Sequence, residues 1–167
     1  GLLFVMSVFI LPGNVSAQIA GSFSTTWNTE SGGSSANDQV DFPFTNLTSA
    51  NNVYWEDTAS STINGTVVIS AGNTIIAFPD PGIYRIDIED YFVANTFIAD
   101  EDGDGVKLLT VEQWGDDAPS TFSEMFRNAS NLTSVPLVEA PDASVATDMS
   151  QMFESAGSFN SPIDHWN

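Results

Sequence analysis

The chain has 167 residues, 22 acidic side chains against three Lys and Arg, a formal net charge of −19 and no cysteine. This balance excludes a polyanion-binding surface, because nucleic acid and anionic lipid are held through Lys and Arg. It also excludes a disulfide framework, a thiolate zinc site and a cysteine nucleophile, so burial and hydrogen bonds must hold the fold. The acidity itself has two readings: solubility in a salty or cation-rich medium, and an acid-dependent cation site.

Residues 2–11 form an apolar run, followed by Pro12-Gly13 and the small-x-small stretch Val15-Ser16-Ala17. This pattern resembles the hydrophobic and cleavage regions of a secretory signal peptide. The run is too short to span a bilayer, which needs about 20 residues. The plainer alternative is a buried core strand. Position 1 is Gly rather than Met, and no positive charge precedes the run. Residues 1–17 are therefore expected to be a truncated signal peptide, and the mature chain to begin at Gln18.

Residues 18–117 have strand character. Phe23, Thr25 and Trp27 alternate with small polar residues, and Val40, Phe42 and Phe44 do the same. From Tyr84 to Glu89 apolar and charged residues alternate, the period of a half-buried strand. Tyr84, Ile86 and Ile88 are expected to face inward, and Arg85, Asp87 and Glu89 outward. Further strands are expected over 51–55, 66–69, 73–78 and 107–114. The separators are rich in Gly, Ser, Asn, Asp and Pro, so the segment predicts an antiparallel β-sandwich.

After Trp114 the pattern changes. Residues 121–136 recur as residues 148–163: Phe122 aligns with Met149, Met125 with Met152, Phe126 with Phe153, Ala129 with Ala156 and Leu132 with Phe159, each 27 residues apart. A fixed period of this size marks a stacked-repeat architecture. Phe122, Met125 and Phe126 sit at i, i+3, i+4, and Thr121-x-x-Glu124 and Asp148-x-x-Gln151 have capping-box spacing. Each copy is expected to open with a capped helical turn and to continue through a polar loop into an extended stretch, 133–138 in the first copy.

The second copy, Met152-Phe153-Glu154-Ser155-Ala156-Gly157-Ser158-Phe159-Asn160 with Ile163-Asp164-His165-Trp166-Asn167, resembles the repeat of BspA-like leucine-rich-repeat surface proteins. The linking stretch 142–149 fits the same pattern. The first copy departs from it, with Leu132 in place of Phe and no Trp. Upstream, Tyr54-Trp55-Glu56-Asp57 and residues 76–86 resemble motifs of the polycystic-kidney-disease (PKD) module, a β-sandwich, although both glycines of its W-G-D-G motif are missing. Residues 108–116 resemble the bridge that joins sandwich to repeats in such proteins. The resemblance implies a mainly β chain in three parts: signal peptide over 1–17, PKD-like sandwich over 18–117, and the first units of an incomplete repeat solenoid with short helical turns over 118–167.

The chemistry points away from catalysis. His165 is the sole histidine and lies at a variable repeat position, which leaves Ser–His and Cys–His devices little to draw on. Chance pairs among 22 acidic residues are no argument for a glycosidase. Residues 100–105 read D-E-D-G-D-G and place Asp100, Asp102 and Asp104 on one tight loop, a candidate calcium site. It is a poor EF-hand, with Lys107 at position eight and Val111 where Glu belongs. A solvated Asp/Gly turn is the plainer reading. Five N-x-S/T sequons, at Asn14, Asn46, Asn64, Asn128 and Asn131, are compositional, and silent if the source is bacterial as the resemblance implies. Trp27, Trp55, Trp114 and Trp166 are candidates for glycan stacking, but core packing is the commoner use of such residues.

The expectation is a secreted or cell-surface, non-enzymatic protein engaged in adhesion or in recognition of an extracellular protein or glycan. The alternative is a carbohydrate-binding accessory module of a larger secreted enzyme. Calcium is the one cofactor suggested. Neither nucleic acid nor a transmembrane span is expected.

Overall fold

The computed structural model describes residues 18–43, 50–70, 74–89 and 103–166. The expected signal peptide, Phe44 and the loop positions Asp100 and Asp102 lie outside the described residues. The described chain is mainly β, with antiparallel sheets. Seven strands are described: β1 (Phe23–Asn28), β2 (Gln39–Asp41), β3 (Asn51–Asp57), β4 (Ser60–Ile69), β5 (Ile75–Ala77), β6 (Ile83–Ile88) and β7 (Leu108–Gln113). A single 3-10 turn at Gly105–Lys107 is the one helical element among the described residues.

β4-β3-β6-β1-β7 form a five-stranded sheet, and β2 pairs with β5 in a smaller one. Cross-strand register lines up Phe23 with Ile88, Thr25 with Ile86 and Trp27 with Tyr84, and on the other side Val53 with Ile88 and Trp55 with Ile86. These side chains share one sheet face because side chains alternate along a strand. The small sheet packs over that face: Trp27 meets Phe42 at 5.4 Å, and Trp55 meets Phe78 edge-on at 5.3 Å. The layers make a sandwich-like core, as the spacing of short strands predicts.

β6 departs from the expected half-buried strand. Tyr84, Ile86 and Ile88 are buried as expected, but Arg85 and Asp87 are buried too, and only Glu89 stays exposed. The reason is position and pairing. β6 is central in the sheet, and its second face holds a charge network that excludes water. Arg85 contacts Asp87 at 3.2 Å and Glu56 at 3.5 Å. Ser24 donates to Asp87 at 2.5 Å, and Tyr54 donates to Glu56 at 3.0 Å. Charges go inside only when paired in this way. Burial pushes the Asp87 carboxyl above its ordinary range, against the opposing pull of Ser24 and Arg85.

The repeat segment contains no helical turns, contrary to expectation. Residues 123–128 are hydrogen-bonded turns, with Glu124 at φ 59° and Asn128 at φ 61°. The second copy repeats this at Gln151 (φ 57°) and Ser155 (φ 60°), each 27 residues on. A left-handed residue every fourth position stops an α-helix from propagating. The capping boxes do not form either. Thr121 and Asp148 instead accept from the N–H two residues on, at 3.0 and 2.8 Å, as local side-chain turns. The apolar spacing is still used: Phe122, Met125 and Phe126 are all buried. In the first copy the periodicity identified the buried side chains but not the backbone that presents them; in the second, Met152 is buried while Met149 is exposed.

Candidate functional site

The two copies lie directly on one another. The N–H groups of Phe122, Glu124, Phe126 and Asn128 donate to the carbonyls of Asp148, Ser150, Met152 and Glu154 at 2.8–2.9 Å. The N–H groups of Met125, Arg127 and Ala129 close local turns three residues back. Alternate peptide groups therefore serve the turn and the neighbouring copy. Phe126 stacks on Phe153 at 5.5 Å, and Phe153 on Phe159 at 4.1 Å. Arg127 reaches Glu124 of its own copy at 3.2 Å and Glu154 of the next at 3.8 Å.

The sandwich leads into this stack without a break. Thr110 in β7 forms a parallel bridge with Ser134. Val111 donates to the Ser134 carbonyl at 3.0 Å, and Thr133 donates to the Leu109 carbonyl at 2.9 Å. One copy further on, Asn160 donates to the Thr133 carbonyl at 3.2 Å. The extended stretches of both copies thus continue the edge of the five-stranded sheet. Trp114 fills the junction, against Phe23 of the sandwich, Phe122 and Phe126 of the first copy and Trp166 of the second.

The surface of the stack carries exposed apolar side chains. Val138 is 97% exposed, and Leu137, Val145, Met149 and Ile163 are also exposed. Among the described residues, the N–H groups of Met149, Gln151, Phe153 and Ser155 have no hydrogen-bond acceptor. They align with the four donors that join copy one to copy two.

The candidate calcium loop looks different from its sequence. Asp100 and Asp102 lie outside the described residues. Asp104 is buried and points into the sandwich. Its Oδ1 accepts from Ser34 N at 2.9 Å and Ser35 N at 3.0 Å, and its Oδ2 accepts from Asp41 N at 2.6 Å and from the Ser35 hydroxyl. Lys107, wholly buried, brings its Nζ to 3.5 Å from Asp104 Oδ2. That ammonium donates to the carbonyls of Ser35, Ala36 and Gln39 at 3.2, 3.0 and 2.9 Å and to the Ser35 hydroxyl at 2.8 Å. Burial alone would raise the Asp104 carboxyl. The hydrogen bonds from Ser35 and Asp41 and the Lys107 charge outweigh it and hold the group below its ordinary value. Gly33, at φ 99°, leaves room for this lock, since a Cβ there would come within 2.4 Å of Asp104 Oδ1. Sequence reasoning missed the lock. Its signal was a cation three residues after Asp104 in a chain with three Lys and Arg in all. Among the described residues no three His, Asp or Glu side chains are grouped to hold a metal.

His165 is half-buried, with Nε2 at 3.4 Å from the Glu139 carbonyl. Trp27, Trp55 and Trp114 are core residues, and Trp166 is half-buried. Among the described residues no helix is long and apolar enough to cross a membrane.

Residues 94–167 match a protein family described as Mycoplasma protein of unknown function, DUF285. The match covers both copies of the repeat, 121–136 and 148–163, together with β7 and the Asp104–Lys107 lock, and is consistent with the BspA-like resemblance of the repeats. It begins upstream of the expected boundary at residue 118, so the family unit includes the sheet edge on which the copies build. No curated protein and no solved structure matches the chain.

Proposed function

We propose that this chain belongs to a secreted or cell-surface bacterial protein, without catalytic activity, that binds an extracellular protein or glycan through a solenoid of 27-residue units rooted on a PKD-like sandwich. The observation that carries the reading is the row of N–H donors on the second copy. Met149, Gln151, Phe153 and Ser155 offer the arrangement that Phe122, Glu124, Phe126 and Asn128 use to hold copy two. A further unit of the same pattern docks there with its register already set. Stacking of this kind builds a continuous core while leaving loop side chains free for recognition. Leu137 and Val138 are such side chains. The core positions of Trp27, Trp55 and Trp114 favour a protein ligand over a glycan held by tryptophan stacking.

The test is binding of the chain to immobilised extracellular-matrix proteins and to a glycan array, with Leu137→Asp/Val138→Asp as the comparison. A protein ligand lost in the double variant supports the reading. Hydrolysis of a glycan or peptide on the same array, or no binding to either panel, rejects it.

A further inference from the structure

The buried network on β6 holds more negative charge than positive. Among the described residues Arg85 is the one cation beside Glu56 and Asp87, and both carboxyls are buried with it. The chain's other two basic residues are engaged elsewhere, Lys107 with Asp104 and Arg127 with Glu124 and Glu154. The sole histidine, His165, lies beside the Glu139 carbonyl. One further cation is available to any polypeptide, the α-ammonium at its start. Ile19 shows where that group would stand. Its N–H donates to the Asp87 carboxylate. Its carbonyl accepts from Ser22 N at 3.2 Å, from the Ser22 hydroxyl at 2.8 Å and from Gln113 Nε2 at 3.1 Å. Gln113 Nε2 also donates to the Ser22 carbonyl at 2.8 Å, and Asp116 N to the Gly21 carbonyl at 3.1 Å. The segment is thus tied to β6 and to the end of β7 from one residue past the expected cleavage point, Ala17–Gln18.

We propose that removal of residues 1–17 leaves the α-ammonium of Gln18 as a counter-ion of the buried Asp87, so that processing itself stabilises the sandwich. Export, as proposed for this chain, supplies the cleavage on which this pairing rests. Covalent geometry keeps the Gln18 nitrogen within about 4 Å of the Ile19 nitrogen, and hence within about 7 Å of the Asp87 carboxylate. Opposite charges at such range, partly shielded from water, favour the ionised form of each other. Gln18 and Ile19 are half-buried. Glu89, Asp116 and Asp117 line the adjoining hollow with Ala20 and Gly21, and all three act in the same direction as Asp87. Glu112 of β7 accepts from the Thr26 and Thr110 hydroxyls. Arg85 is the opposing charge. The balance holds the amine charged to a higher pH than in the unfolded chain. Its contribution is complete below the ordinary α-amino pKa of about 7.7–8.0 and is lost as pH rises through the higher folded value.

Acetylation of residues 18–167 tests this. Lys107 is the sole lysine and is wholly buried, so acetic anhydride acts selectively on the α-amine. Gln18→Ala is the form used, because an N-terminal glutamine cyclises to a lactam with loss of ammonia and of its charge. The pH dependence of the acetylation rate gives the amine pKa. It should lie above that of the same chain unfolded in urea, and the rate near neutral pH should be lower by about threefold or more. Asp87→Asn should bring the folded amine back to the unfolded value. Glu30→Gln, the same change of charge at an exposed position, should not. In thermal melts near pH 6 the free amine should exceed the acetylated protein by about 2–4 °C, and the gap should close by about pH 10. An amine with its unfolded pKa overturns the proposal, as does a raised pKa that Asp87→Asn leaves in place. Coincident melts of the free and acetylated proteins overturn it too, and that comparison holds should Asp87→Asn fail to fold. The cleavage is read separately, by the intact mass of protein exported from a bacterial host with an initiator Met and a basic leader placed before residue 1. A start other than Gln18 rejects the processing step whatever the amine titration shows.

Discussion

Trp114 and Trp166 meet edge to face at 5.3 Å, one at the end of β7 and the other in the second repeat copy. Trp114 also touches Phe23, Phe122 and Phe126, so a single indole contacts the sandwich and both copies. Sandwich and repeats share one hydrophobic core. Trp114→Ala should therefore destabilise both together, by about 3–5 kcal/mol for a large aromatic truncated in a core. Urea unfolding followed by far-UV circular dichroism and by exchange of repeat amides reads this. Repeats that loosen while the sandwich keeps its midpoint would contradict the shared core.

The stacking ladder predicts a pattern in hydrogen exchange. The amides of Phe122, Glu124, Phe126 and Asn128 are bonded to the second copy and should exchange slowly. Their counterparts Met149, Gln151, Phe153 and Ser155 lack acceptors among the described residues and should exchange fast. Residues 148–166 as a whole should be less protected than β1, β3 and β6. Addition of a further 27-residue unit should slow the four fast amides. Equal protection of both sets in the chain as it stands would refute the assignment of those donors to a docking edge.

The Asp104–Lys107 lock makes stability depend on acid. Asp104 has its carboxyl depressed in the folded state, so its contribution is complete above the ordinary carboxylate pKa of about 3.9 and is lost as pH falls through the lower folded value. Asp104→Asn should be destabilised at neutral pH, and its deficit should shrink in strongly acidic solution. Lys107→Met leaves a buried carboxylate without its cation and should cost about 3–5 kcal/mol. Denaturant midpoints of the three proteins across pH measure both effects. A deficit for Asp104→Asn that stays constant to the lowest pH would mean that the ionised form is not what the lock stabilises.

Left-handed backbone at non-glycine positions gives a prediction of opposite sign. Ser155 is exposed at φ 60°. Ser155→Gly removes the Cβ penalty of that region and should be neutral or stabilising, within about 1 kcal/mol. Ser155→Val puts a β-branched residue there and should lower the melting temperature. The reverse order would show that residues 151–155 are helical in solution.

Much of the fold is legible in the sequence, because short-range alternation and turn chemistry determine strands locally. Tyr84, Ile86 and Ile88 declare an inward face, the Gly- and Pro-rich separators delimit β5 and β6, and the 27-residue period identifies the stacked copies. What the sequence could not decide is where a polar side chain goes, since that depends on partners distant along the chain. Arg85 and Asp87 read as solvent-facing, but Glu56 and Ser24 arrive from neighbouring strands and make burial affordable. Asp104 reads as part of a solvated turn or of a candidate calcium loop, and nothing local announces that Ser34, Ser35 and Asp41 reach it from across the sandwich while Lys107 supplies a cation. The repeats show the same division. Spacing alone placed Phe122, Met125 and Phe126 on a buried face, because burial responds to which residues are apolar. Whether that face rides on a helix or on turns was settled by the neighbouring copy, whose carbonyls take the N–H groups of Phe126 and Asn128 that a helix would have kept for itself.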